Sequence, residues 1–123
     1  GNKRYEAALA DFRALAAIDP ATQEDEDETK QRVQLGHYFV GAVASDAKIH
    51  LTDGIENLRA FLNSETFDFP IRESYGHYYL ATLYLANGDT VAAKDALQKA
   101  AKGPQDKDLK KRLKALKRKL KKA

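Results

Sequence analysis

Residues 78–104 read YYLATLYLANGDTVAAKDALQKAAKGP, two apolar-rich runs on either side of Asn87-Gly88-Asp89. Ahead of that tripeptide, Tyr75, Tyr78, Tyr79, Leu80, Leu83, Tyr84 and Leu85 cover a broad face of a helix. Beyond it, Val91, Ala93, Ala96, Leu97 and Ala100 lie on one side of a second. Gly88 suits the left-handed residue that closes a helix, and Asp89 suits the oxygen acceptor that caps the next. Asn87-Gly88-Asp89 is therefore expected to be a tight turn between two paired helices. The second, over 90–102, is expected to stop at Gly103-Pro104 by the same left-handed closure.

Outward from this pair the pattern continues. Pro70 fits the first turn of the helix that runs to Asn87, after the loop SETFDFP at 64–70. Residues 3–18 place Tyr5, Ala8, Leu9, Phe12, Leu15 and Ala16 on one stripe, ended by Asp19-Pro20. The consecutive acids Glu24 to Glu28 read as a solvated loop leading into a second helix from about Thr29. In that helix, QRVQLGHYFVGAVA (31–44) is apolar over most of its circumference. Residues 45–53 either extend it or break it. A third helix, capped by Thr52 or Asp53, carries Ile55, Leu58, Phe61 and Leu62 and ends about Asn63. At the far end, DKDLKKRLKALKRKLKKA (106–123) sets Leu109, Leu113, Leu116 and Leu120 four, three and four apart. Lysine and arginine fill most other places.

The 123 residues amount to one domain, and the scarcity of Pro (3) and Gly (7) favours an all-α class. The absence of cysteine removes disulfides, thiolate catalysis and zinc-thiolate sites and leaves the compartment open. No stretch approaches the roughly 18 apolar residues of a membrane-spanning helix. Starting at Gly1 without any methionine, the chain reads as a piece of something longer. Its net charge of +3 is divided: residues 1–101 carry 10 Lys and Arg against 16 Asp and Glu, and residues 102–123 carry 11 against 2.

The helix pair at 71–104 resembles the tetratricopeptide repeat, a unit of about 34 residues with the pattern W-x2-L-G-x2-Y, A-x3-F, P. Leu80-Ala81 takes the Leu-Gly place, Tyr84 the aromatic, and Ala93 with Leu97 the A-x3-F pair. Pro104 falls one residue early, and His77 stands where tryptophan is usual. Residues 1–20 resemble the second half of such a repeat. Residues 29–70 resemble a degenerate copy in which Leu35-Gly36 and Phe39 match, while Gly54 and Leu58 come about six residues late. That lag implies an insertion around Ser45 to Asp53. The resemblance covers residues 1–104 and implies antiparallel helix pairs stacked as a right-handed superhelix. The basic amphipathic helix at 105–123 stands in the capping position.

In that family the first helix of each repeat lines a concave groove, which implies a non-enzymatic scaffold for protein-protein interaction. By resemblance the groove residues are Val33, His37 and Val40 on one helix, and Tyr75, Tyr78, Thr82 and Leu85 on the other. The partner implied is a protein or peptide held by tyrosine stacking and hydrogen bonding. The Lys, Asn and Arg of a carboxylate clamp are replaced by Val33, His37, Tyr75 and Tyr79.

For catalysis the sequence offers little. His37, His50 and His77 fall on separate elements without metal-ligand spacing, and Glu24 to Glu28 lacks the glycine of a calcium loop. No cofactor, metal or small-molecule substrate is implied. The alternative to a peptide groove is polyanion binding, to nucleic acid or an anionic membrane, through the basic tail. Its candidate contacts are Lys110, Lys111, Arg112 and Lys114, then Lys117, Arg118, Lys119 and Lys121.

Overall fold

The structure, a computed structural model, describes residues 2–64 and 70–122. Among these residues there are six α-helices and no strand, the all-α class expected. They are α1 (Asn2–Ala16), α2 (Glu26–Ala47), α3 (Leu51–Asn63), α4 (Pro70–Ala86), α5 (Thr90–Lys102) and α6 (Lys107–Lys122). A single 3-10 turn, Pro20–Thr22, follows Asp19, whose carboxylate accepts from the Ala21 amide. The expected connection over 65–69 lies outside the described residues.

The turn at 87–89 is built as its residues require. Gly88 has φ 84°, Asp89 donates its amide to the Tyr84 carbonyl at 2.9 Å, and Gly88 donates to Leu85 at 3.1 Å. This double closure satisfies the last carbonyls of α4. The Asp89 carboxylate then accepts from the Ala92 amide at 3.1 Å and starts α5.

Other boundaries differ from the sequence expectation. α2 begins at Glu26, three residues before Thr29, because Asp25 caps it by accepting from the Glu28 amide at 3.0 Å. Glu26, Asp27 and Glu28 therefore lie in the first turn, where the helix dipole favours negative charge. Residues 45–47 extend α2, and the chain then turns through Lys48 and His50, both left-handed at φ 54° and 49°. α3 starts at Leu51 without a side-chain cap. Neither Thr52 nor Asp53 fills that role, and the Asp53 carboxylate instead holds Arg13 at 2.6 Å. Gly103 ends α5 in extended backbone (φ −88°) rather than left-handed. A methyl group there would meet the Ser74 hydroxyl, which would have to swing aside.

Each helix packs on the next along the chain, and α2 also packs on α4 and α4 on α6. The even-numbered helices thus form a continuous row, against which α1, α3 and α5 are laid. α1 and α3 approach each other through side chains, Arg13 to Asp53 and Glu6 to His50, the latter at 2.6 Å.

Small residues set how closely these helices cross. A methyl group on Gly41 would run into the Leu58 side chain, and one on Gly54 would lie 2.7 Å from the Ala44 Cβ. The α2–α3 crossing is therefore centred on Gly41, whereas Gly36 lies against the backbone of α1 at Ala16. This corrects the register read from the sequence. Gly36-His37-Tyr38-Phe39-Val40-Gly41 matches Gly76-His77-Tyr78-Tyr79-Leu80-Ala81, so Gly41 corresponds to Ala81 and Gly54 to Ala93. The separations 41 to 54 and 81 to 93 differ by one residue, so in this alignment the lag expected around Ser45 to Asp53 shrinks to one residue, and the 40-residue step from Gly41 to Ala81 leaves the rest of the surplus after Gly54.

The main core joins Leu58, Tyr79, Leu80, Leu83 and Tyr84 to Ala93 and Ala96 of α5 and to Leu116 and Leu120 of α6. A smaller cluster joins Ala100 to Leu109 and Leu113. All four leucines of α6 are buried, as their seam implies. Val91, expected on the apolar side of α5, is 82% exposed because it lies on the face opposite Ala93 and Ala100.

Candidate interaction surfaces

Two surfaces collect chemistry-bearing side chains. The first is a belt of aromatic rings across the row of even-numbered helices. Phe12 stacks on Phe39 at 5.0 Å, Phe39 meets Tyr38 edge-on at 5.2 Å, and Tyr38 meets Tyr79 at 5.9 Å. Tyr79 in turn contacts Tyr78 at 5.3 Å and Tyr75 at 6.2 Å. Guanidinium groups cover two of these rings, Arg72 over Tyr38 at 5.9 Å and Arg112 over Tyr78 at 5.8 Å. Burial raises the phenol pKa of Tyr38, Tyr78 and Tyr79 above the ordinary value. Burial raises that of Tyr75 as well, reinforced by Asp106 and Asp108, whose carboxylates each lie 2.8 Å from its hydroxyl. These phenols stay neutral at physiological pH; the Tyr75 hydroxyl donates to the two carboxylates, whereas the Tyr78 and Tyr79 hydroxyls accept from Arg112. At the margin of the belt, partial burial raises the Asp46 carboxyl pKa while Arg112 pulls it down.

The groove residues expected from the sequence divide by helix. Val40 is fully buried and Val33 is 8% exposed, so neither can line an open groove. His37 turns toward α3, where its Nδ1 lies 2.8 Å from the Asn57 side-chain oxygen. The α2 residues that do face α4 are Tyr38, against Tyr79, and Ser45, whose hydroxyl pairs with that of Thr82. The repeated Gly-His-Tyr was the sequence signal for them.

From α4, the expected residues are found along the belt. Tyr75 and Tyr78 are half-buried beside α6, and Leu85 is half-buried against the main core. Thr82 donates its hydroxyl to the Tyr79 carbonyl at 2.7 Å.

The second surface is an open trough of about 1110 Å³ between α5 and α6. Lys94 borders it on α5, and Lys110, Lys111, Lys114, Lys117 and Lys121 border it on α6. The half-buried Leu97 and exposed Ala101 form its apolar floor, over the edges of the buried Leu113 and Leu120. Arg112 is not among these cations: it covers Tyr78 and pairs with Asp108 at 2.8 Å, which removes it from the expected polyanion contacts. Arg118 and Lys119 are exposed but do not line the trough.

The histidines stay apart. His50 pairs with Glu6, and His77 lines a cavity of about 330 Å³ with Glu73, Ser74 and Lys99. Burial, then the nearby Lys99 charge, lowers the His77 pKa, and its Nδ1 has no hydrogen-bond partner among the described residues. No group of three His, Asp or Glu among those residues is placed to hold a metal ion, and no helix among them is long and apolar enough to cross a membrane. Comparison with known protein families, with curated proteins and with solved structures gives no match.

Proposed function

We propose that this chain is a non-enzymatic scaffold of the tetratricopeptide-repeat kind, in which α2–α3 and α4–α5 are successive pairs and α6 covers the last. The observation that carries this reading is the packing order, in which first helices pack on first helices and second helices lie against them. A stacked array of two-helix repeats requires that order, because each pair can bury its apolar face only against its neighbours. The spacing of Gly41 and Gly54, matched by Ala81 and Ala93 with one residue of difference, supports the same unit repeated.

On this reading the peptide-binding face runs along α2 and α4, with Asp46, Ser45, Thr82 and the accessible edges of Tyr75 and Tyr78 as its contacts. Half-buried aromatic rings with polar tips offer large contact area at small conformational cost. A peptide selected from a random display library against the full chain tests this. Its amide chemical-shift changes should concentrate on residues 38–46 and 75–85. Asp46→Arg, on an exposed side chain, should weaken binding by about tenfold or more while circular dichroism stays unchanged. Selected peptides whose shifts avoid both segments would end the reading of this face as the binding surface.

A further inference from the structure

We infer that the trough between α5 and α6 is a second docking site, shaped for an acidic amphipathic helix of a partner protein. This rests on the reading of the chain as an interaction scaffold but not on the α2–α4 face. Lys110, Lys114, Lys117 and Lys121 follow one another at four, three and four residues, a single stripe on α6 about 16 Å long at the helical rise. Lys94 stands across from them on α5. Among the described residues none of these five takes part in an ion pair, whereas Lys30, Arg32, Lys99, Arg13 and Arg112 all do. The acids nearest in sequence are already engaged: Asp106 caps α6 by accepting from the Leu109 amide and meets Tyr75, and Asp108 meets Tyr75 and Arg112. A stripe of like charge left uncompensated along one helix costs stability in the free chain. Carboxylates at the same three-and-four spacing on a docked helix would relieve it in register.

The floor between the cations decides which anion fits. The half-buried Leu97 and exposed Ala101 of α5 are its open apolar part, over the edges of the buried Leu113 and Leu120, so the occupant must bring an apolar side as well as negative charge. A helix with leucines flanked by glutamates has both. A nucleic acid has only the charge: among the described residues the trough holds no aromatic side chain on which a base could stack, and a phosphate chain would leave the floor wetted. The same lack of an aromatic anchor disfavours a lipid surface. The acidic run of a second copy fits poorly too. Glu24 to Glu28 carries no apolar side chain, and Glu26 and Glu28 are already paired with Lys30 and Arg32. The array itself supplies a precedent for such a seat. α3 lies on α2 beside α1, tied across by Arg13 to Asp53, and a helix on α6 beside α5 would be tied across by Lys94 in the same manner.

The test uses the full chain and a synthetic helical peptide of about three heptads, with leucines on one side and glutamates on both flanks. Its control carries glutamine for every glutamate. Fluorescence anisotropy should show the glutamate peptide binding at least about tenfold tighter than the control, with that preference shrinking as salt is raised. Lys114→Glu with Lys117→Glu and Lys121→Glu should abolish the preference, as should Lys94→Glu alone in part. All four side chains are exposed, and unchanged circular dichroism checks the fold. Asp46→Arg should leave this binding intact. Equal binding of the two peptides would overturn the proposal. So would tighter binding of a single-stranded oligonucleotide or of phosphatidylserine vesicles, which would make the stripe a general polyanion surface. Self-association removed by the triple substitution would assign the trough to a second copy and overturn it too. If Asp46→Arg abolishes peptide binding and the triple substitution does not, the trough proposal falls while the scaffold reading stands. Failure of both this peptide and every library peptide to bind would bring down both.

Discussion

The two helix pairs α2–α3 and α4–α5 close their turns by different means. Between α4 and α5, Gly88 takes the left-handed position without a steric penalty and Asp89 caps the next helix from one residue away. Between α2 and α3, the same left-handed closure is imposed on Lys48, and His50 is left-handed as well. No side chain caps α3. Each non-glycine residue in that region costs about 1–2 kcal/mol, so the α2–α3 turn must be held from outside. His50 is held by Glu6, Asp53 by Arg13, and the start of α3 is drawn against α2 where Gly54 meets Ala44. One turn is specified by its own residues, and the other is specified by what it packs against.

The largest effect on this comparison should come from removing the cover on the C-terminal pair. Deleting residues 105–123 uncovers the apolar face of α5 and the α4 side of the smaller cluster, and takes four buried leucines out of the core. At about 1.5–3 kcal/mol per leucine, an upper range, the expected result is a loss of several kcal/mol and a markedly lower melting temperature. An unchanged melting curve would mean that α6 is not integral to the fold.

Next in size are the crossings. Gly41→Ala places a methyl group into the fully buried Leu58 side chain, and should destabilise by about 1–3 kcal/mol through overpacking. Ala81→Gly, at the corresponding place in the other pair, removes a buried methyl group and loosens a helix. It should cost about 1 kcal/mol, and chemical denaturation of the two variants compares them directly. If Gly41→Ala is neutral, Leu58 has room to move and the crossing is looser than its geometry implies.

The smallest effects belong to the turns, where the signs should oppose. Lys48→Gly should stabilise by about 1 kcal/mol by releasing left-handed strain. Gly88→Ala should destabilise by about the same amount even though open space surrounds it. Equal signs in the two turns would mean that the Lys48 closure carries no strain.

The helical class, the ends of α4 and α5, the buried leucine seam of α6 and the charge division were all legible because each depends on residues within one or two turns of one another. Leu109, Leu113, Leu116 and Leu120 define their own face, and Gly88-Asp89 its own turn. The charge division was legible, but which of the cations are engaged was not. Arg112 carries the same charge as Lys114 on the same helix, yet Tyr78 and Asp108 engage it while Lys114 faces the trough.

The register of α2 lay beyond local signals for a related reason. Over residues 31–44 this helix is apolar around much of its circumference, so periodicity alone does not choose between Gly36 and Gly41 as the crossing point. Leu58, seventeen residues past Gly41 and on another helix, makes the choice by leaving no space for a side chain there. A five-residue difference in register on a helix of 3.6 residues per turn rotates the face by well over a right angle. Periodicity and caps name the helices because they act within a turn. Which face of a helix meets which neighbour is settled by excluded volume and charge between residues far apart in the chain, and those terms exist only once the helices have packed.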